Sequence, residues 1–170
     1  MNRYILYNKP KKIDLNNIPA HLAKAFSKFF KGLPYSTISL DTNYSGLVLF
    51  YQDETFDIEK RSKKIKVLLD IQFKNDLKND EIKKITEDIL SLDKNSNFAF
   101  KSSELGVETT LYFQNSITEI LKKIDSLNID RVLISNLDKF EIPRGNYRVL
   151  KDIEVFNFKS LSHSPNKTPS

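Results

Sequence analysis

Apolar positions along the chain change their period several times, and each change marks an element. Tyr4-Ile5-Leu6-Tyr7 is a strand-like run stopped by Asn8-Lys9-Pro10. From Asn17, a residue type suited to an N-cap, with Pro19 just inside the first turn, Ile18, Leu22, Phe26, Phe29 and Phe30 fall on one helical face that Gly32 closes. Ile38 and Leu40 alternate, which predicts a strand entering the polar loop Asp41-Thr42-Asn43-Tyr44-Ser45-Gly46. Leu47-Val48-Leu49-Phe50-Tyr51 is apolar without alternation, the pattern of a strand buried on both faces. A short helix over 55–61 follows, then a strand over 63–73 with Ile65, Val67, Leu69, Ile71 and Phe73 on one face.

In the second half, Asp80 suits the cap of a helix burying Ile82, Ile85 and Ile89. Strands are predicted over 98–102 and 109–113 around a turn at Glu104-Leu105-Gly106. Ser116-Ile117-Thr118-Glu119 reads as a capping box opening a helix with Ile117, Ile120, Leu121, Ile124 and Leu127 on one stripe. Strands over 131–137 and 147–150 flank the turn Pro143-Arg144-Gly145-Asn146. Residues 159–170 have little to bury and read as a disordered tail. The sum is an α+β domain over residues 1–158, with a mixed, mainly antiparallel sheet and flanking helices.

Composition narrows the chemistry. The 170 residues suit one domain. The absence of cysteine excludes disulfides, thiolate metal sites and a cysteine nucleophile, and two histidines make a histidine-rich metal centre a poor expectation. The net charge of +5 favours a polyanionic partner. No apolar run reaches the roughly 18 residues of a membrane span, and the first residues turn polar too soon for a signal peptide, so a cytoplasmic protein is expected.

Phosphate-binding glycine loops, paired histidines and glycine-flanked serines are all missing. One carboxylate stands in an unusual setting: Asp41, between a strand and Gly46, just before the most apolar segment. It is either the former of an Asx-turn or a functional group held out from a rigid scaffold. Lys24, Lys28 and Lys31 form a basic stripe opposite the apolar face of their helix, either a merely solvated face or one that meets phosphates. Lys60, Arg61, Lys63, Lys64 and Lys66 crowd a second junction.

Three stretches, and a fourth closing them, occur in the order found in the RsuA branch of the pseudouridine synthases that modify ribosomal RNA. Tyr4-Ile5-Leu6-Tyr7-Asn8-Lys9-Pro10-Lys11 is similar to that family's opening strand and N-K-P-x-G. Ser39-Leu40-Asp41-Thr42-Asn43-Tyr44-Ser45-Gly46-Leu47-Val48-Leu49 resembles its R-L-D-x-x-(S/T)-x-G-L-(L/V)-L, which carries the catalytic aspartate. The segment from Leu111-Tyr112-Phe113 to Lys122-Lys123-Ile124 lies where the family has a strand and a G-R-x-x-Q-V-(K/R)-R-M helix. Pro143-Arg144-Gly145-Asn146-Tyr147-Arg148-Val149-Leu150 resembles its closing P-G-x-(Y/W)-R-x-L. The likeness spans about residues 3 to 150, and the aspartate motif is its most specific part.

The resemblance implies a cofactor-free isomerase of uridine in structured, ribosomal RNA. Asp41 would be the nucleophile and Lys122 the cation that keeps it ionised. Leu40, Tyr44, Gly46 and Ile65 would form the base pocket, with Tyr44 or Tyr7 supplying a ring. Lys9, Lys11, Lys24, Lys28, Lys31, Lys60, Arg61, Lys63 and Lys64 are the pool of phosphate contacts. RNA is the expected partner, a monomer the expected state, and no metal is expected.

The chain also departs from the pattern. The arginine of R-L-D is Ser39, the glycine after N-K-P-K is Lys12, the stacking aromatic falls at Ile65, and the helix start is Ser116 to Ile120. The arginine of the strand after that helix is not found near Asn136 and Leu137. These departures keep open a catalytically degenerate RNA-binding protein of the same fold, and, more distantly, a protein-interaction domain.

Overall fold

The structure, a computed structural model, describes residues 3–32, 34–124 and 126–162. In chain order the elements are β1 (Arg3–Lys9), α1 (Ala20–Phe29), β2 (Ser36–Ile38), β3 (Ser45–Gln52), α2 (Ile58–Arg61), β4 (Lys66–Phe73), α3 (Asn79–Leu92), β5 (Asn97–Lys101), β6 (Glu104–Thr110), α4 (Leu111–Lys122), β7 (Ser126–Ile134), β8 (Leu137–Asp138), β9 (Tyr147–Val149) and α5 (Asp152–Leu161). The strands form one sheet in the order β5-β6-β4-β7-β3-β1-β9, with β2 added to β3 and β8 to β7. Every pairing is antiparallel except β3 with β7, so the α+β expectation holds.

The central strands are buried on both faces, as the unbroken apolar run of β3 predicts. Ile5 and Tyr7 of β1, with Val48 and Phe50 of β3, join one core under α1, α3 and α4. Tyr4 and Leu6, with Leu47, Leu49 and Tyr51, point the other way into a second core closed by α5. The period-2 alternation thus divides one apolar stretch between two layers. Towards the β5 end the sheet is covered on one face only, and β4 alternates between buried and exposed positions accordingly.

Several boundaries differ from the pattern-based expectation. Helix α1 is capped at Pro19 and not Asn17. Helix α3 is capped at Lys78, with Asp80 and Glu81 in its first turn. Glu104 to Gly106 lie inside β6, and the turn sits one step earlier, where Ser102 takes φ 54°. Leu111 to Phe113, strand-like in composition, open α4 instead, because β6 loses its partner β4 at the Thr110–Lys66 pair. Ser116 to Glu119 therefore lie in mid-helix, the capping box does not form, and Leu127 falls in β7.

Helix α5 is the element that the apolar pattern hides. It buries Val155 and Phe158 yet exposes Ile153 and Phe156, so its apolar residues show no single stripe. Its anchors are polar: Lys159 donates to Asp53 at 2.8 Å, and Arg148 bonds Glu154 at 2.6 Å. The helix continues to Leu161, so the tail expected from 159 does not begin there; residues 163–170 lie outside the described ones.

Candidate active site

The loop between β2 and β3 carries Asp41, and two buried cations hold it from beneath. Lys9, at the end of β1, is wholly buried. Its ammonium donates to the carbonyls of Tyr44 at 2.6 Å, Pro10 at 3.0 Å and Thr42 at 3.1 Å. Arg131 of β7 is also wholly buried, with Nε and Nη2 donating to the Leu47 carbonyl at 2.9 and 2.7 Å. Nη2 also reaches Ser39 O at 2.9 Å and Ile38 O at 3.2 Å, and Nη1 reaches Gln114 Oε1 at 2.9 Å. Both ends of the loop are thus tied by charge-assisted bonds to its own backbone, which fixes the chain that presents Asp41.

Within the loop, Asp41 Oδ1 accepts from the Asn43 amide at 2.9 Å, and the Tyr44 amide donates to the Asp41 carbonyl at 3.0 Å. That is an Asx-turn, the first of the two roles considered for Asp41, and the residue stands exposed at the tip of the turn. A second strap crosses from the β1–α1 loop, where the Lys12 amide donates to Thr42 O at 2.7 Å. Lys12 has φ 71°, the left-handed region. Lys12→Gly should therefore raise stability by about 0.5–1 kcal/mol, read as a higher urea midpoint at unchanged slope.

Asp41 opens onto a cleft of about 710 Å³. Its walls are Asp14 to Asn16, Thr37 to Thr42, Tyr44, Ile58 of α2, Arg131, and the α4 ridge of Leu111, Gln114, Asn115, Thr118, Glu119 and Lys122. The volume lies within the range of small-molecule sites and is ample for one nucleoside.

Of the sequence-derived residues, the fold brings Asp41, Leu40, Tyr44 and Lys122 to this one cleft. Lys122 is bonded to Glu119 at 3.1 Å and lies 5.5 Å above the Tyr44 ring. Glu119 first, and Tyr44 after it, hold the lysine's pKa above its ordinary value. The cation coupled to Asp41 from below is Lys9. Burial lowers the pKa of Lys9 to about 8, and the Asp41 carboxylate raises it in part.

Other placements correct the expectation. Lys9 holds the loop and is closed to phosphate. Ile65 is wholly buried in the second core and does not line the cleft; Tyr7 lies in the first core, with its hydroxyl buried and unpartnered. Gly46 lies under the site with φ 119°, pressed on the backbone of Arg131. Arg61 turns to α5, donating to Lys159 O at 3.0 Å and Ser162 Oγ at 3.2 Å. Lys24, Lys28 and Lys31 are exposed on and beyond α1, Lys11 donates to Asn128 at 3.1 Å, Lys60 stands 4.0 Å from Asp57, and Lys63 and Lys64 are exposed.

Arg131 is the residue that pattern reading missed. The strand after α4 does carry an arginine, earlier than Asn136, because β7 begins at Ser126. The signal was present as a charge of long reach, next to Asp130, in a strand whose other residues from Ile129 to Ile134 are apolar. Burial lowers its pKa to about 9, so the guanidinium stays charged at neutral pH against neutral oxygens.

The depressed pKa of Lys9 makes stability depend on pH. The unfolded chain takes up this proton near 10.5 and the folded one near 8. Between those values the unfolded state binds more protons, so stability rises with pH across the window, by at most about 3 kcal/mol. Tyr4, Tyr7 and Tyr51, kept protonated mainly by burial, work the other way above about pH 10. Arg131, with its folded pKa also depressed, adds a rise of the same sign as that of Lys9 above about pH 9. Urea melts at about pH 8 and about pH 10 should therefore show a larger gain for the wild type than for Lys9→Met, which keeps only the Arg131 part.

Among the described residues no group of acidic or histidine side chains is arranged to hold a metal ion, and no helix is long and apolar enough to cross a membrane. No model of a known protein family matches the chain, and no curated protein matches it. Solved structures do: a crystal structure of a pseudouridylate synthase matches with a TM-score of 0.65 at 16% identity, over 93% of this chain and 74% of that one. The chain therefore has the fold of a pseudouridylate synthase.

Proposed function

We propose that the protein is an RNA pseudouridine synthase of the RsuA type, isomerising uridine in structured RNA, ribosomal RNA foremost, with Asp41 as nucleophile. The observation that carries this reading is the exposed Asp41 carboxylate at the mouth of the cleft, on a loop tied down by Lys9 and Arg131. The fold shared with a pseudouridylate synthase agrees with it.

The reaction breaks the bond from uracil N1 to the ribose and forms one from C5. N1 gains the proton that C5 loses, so atoms and charge balance without an oxidant or reductant. A nucleophile that departs again is sufficient, and an ionised carboxylate supplies it. Reaching the base requires flipping the nucleotide, whose lost stacking must be recovered in the pocket. Tyr44 lines the cleft with a ring that is only 8% exposed and belongs to the first core, so it borders the pocket without replacing the stacking residue expected at Ile65. Lys122 above it supplies positive charge near the sugar–phosphate chain.

The test is to incubate the protein with RNA lacking the modification and map pseudouridine by chemical labelling. A site that appears with the wild type and not with Asp41→Ala supports the enzyme. RNA binding that weakens with salt, without any new pseudouridine, would overturn it in favour of a binding protein.

A further inference from the structure

The α4 ridge that borders the cleft runs on past it. Asn115, Glu119 and Lys122 line the cleft, and Tyr112, three residues before Asn115 and seven before Glu119, lies on the same ridge of the helix. Its side chain is 53% exposed, although it follows directly on Leu111 in the cleft wall. The ring is held in place: the Tyr112 amide donates to Ser62 O at 3.2 Å, and Phe113 packs edge-on at 5.0 Å. The Lys63 ammonium lies 4.7 Å from the ring centroid. Lys60 and Lys64, both exposed, flank this segment.

We infer that Tyr112 and Lys63 form a stacking subsite for an unpaired nucleobase of the bound RNA, a few nucleotides away from the uridine at Asp41. The inference rests on the RNA reading above and adds to it where a second stretch of the strand is held. Tyr112 is not among the residues that line the cleft. From Lys122 to Tyr112 the helix advances about 15 Å, several times the ~3.4 Å step of a stacked strand, so the ring serves a different nucleotide from the one in the cleft. An unpaired base a few nucleotides from the flipped one lacks a full stacking partner, and a fixed aromatic face supplies that contact for any base. Lys63 beside the ring places a positive charge where the phosphate of the stacked nucleotide runs.

The test measures the affinity of a fluorescent single-stranded oligouridylate for the full chain at low salt. Tyr112→Ala should weaken binding about tenfold and Tyr112→Phe by less than about twofold, because the ring face and not the hydroxyl stacks. Lys63→Gln should weaken binding and flatten its salt dependence. An oligonucleotide set with one abasic spacer moved along the strand should contain a position at which wild type and Tyr112→Ala bind alike. The ring is exposed, so thermal unfolding of Tyr112→Ala should match the wild type. Equal affinity of wild type and Tyr112→Ala, or a difference that no spacer removes, overturns the subsite and leaves the RNA reading standing. A wild type that binds no RNA at all overturns both.

Discussion

Asp41→Asn is expected to leave the protein folded and its pseudouridine formation reduced by about 10⁴-fold or more, the scale on which enzymes lose turnover when the nucleophile is removed. The asparagine keeps an oxygen to accept from the Asn43 amide, so the Asx-turn survives. The side chain is exposed, and the loop is fixed by carbonyl contacts from Lys9 and Arg131 that do not involve it. Stability should therefore change by no more than about 0.5 kcal/mol. What is lost is the anionic oxygen alone. Single-turnover kinetics on an RNA that the wild type modifies, beside a urea melt of both proteins, check the two halves together. A folded Asp41→Asn with wild-type turnover would remove Asp41 from the reaction.

Gly46→Ala should show the opposite division: collapse of the fold, and of activity with it. A Cβ at this position would stand 2.3 Å from the Arg131 carbonyl oxygen and 2.4 Å from its nitrogen, against backbone that has no flexible end to move aside. The φ of 119° is itself strained for an alanine. Relief would require β3 to part from β7 at the Gly46–Arg131 pair, where the two strands run parallel. That pair sits between the Arg131 side chain's contacts to Leu47 and to Ser39, so parting it also frees the Asp41 loop. The expected cost is about 4 kcal/mol or more, a large share of the ~5–15 kcal/mol that holds a domain together. The midpoint of urea unfolding reads it directly. A variant as stable as the wild type would show that the close β3–β7 approach is dispensable.

Lys9 and Arg131 illustrate why parts of the site escape a linear reading. In sequence, Lys9 belongs with Lys11 and Lys12 as one more surface cation. In the fold, β1 lies between β3 and β9, which places Lys9 opposite Gly46 and under the loop, where its ammonium donates to three carbonyl oxygens. Arg131 is masked differently, because β7 pairs with β4 on one side and β3 on the other and so draws a charged residue into the middle of the sheet. A lysine's local sequence does not distinguish a phosphate contact from a buried clamp; the strand order does.

Lys12 departs from a glycine in residue but not in backbone, since it still takes the left-handed conformation. Ile65 is a departure in substance, being core, and the ring nearest Lys122 comes from Tyr44 in a different loop. Leu111 to Phe113 show how composition misleads at a junction: apolar and aromatic residues suit strand and helix alike, and the end of the β4 ladder chooses between them.

By itself the sequence determined the α+β class, the doubly buried β3 and the turn that exposes Asp41. Each depends on residues within a few positions of one another, on alternation, glycine placement and side-chain reach. Tertiary structure alone decided which cations hold that turn, which aromatic ring faces the cleft, and that a polar-anchored helix closes the second core. Those outcomes depend on pairs such as Lys9 with Tyr44, Arg131 with Ser39 and Lys159 with Asp53, far apart in the chain and joined only by the order of the strands.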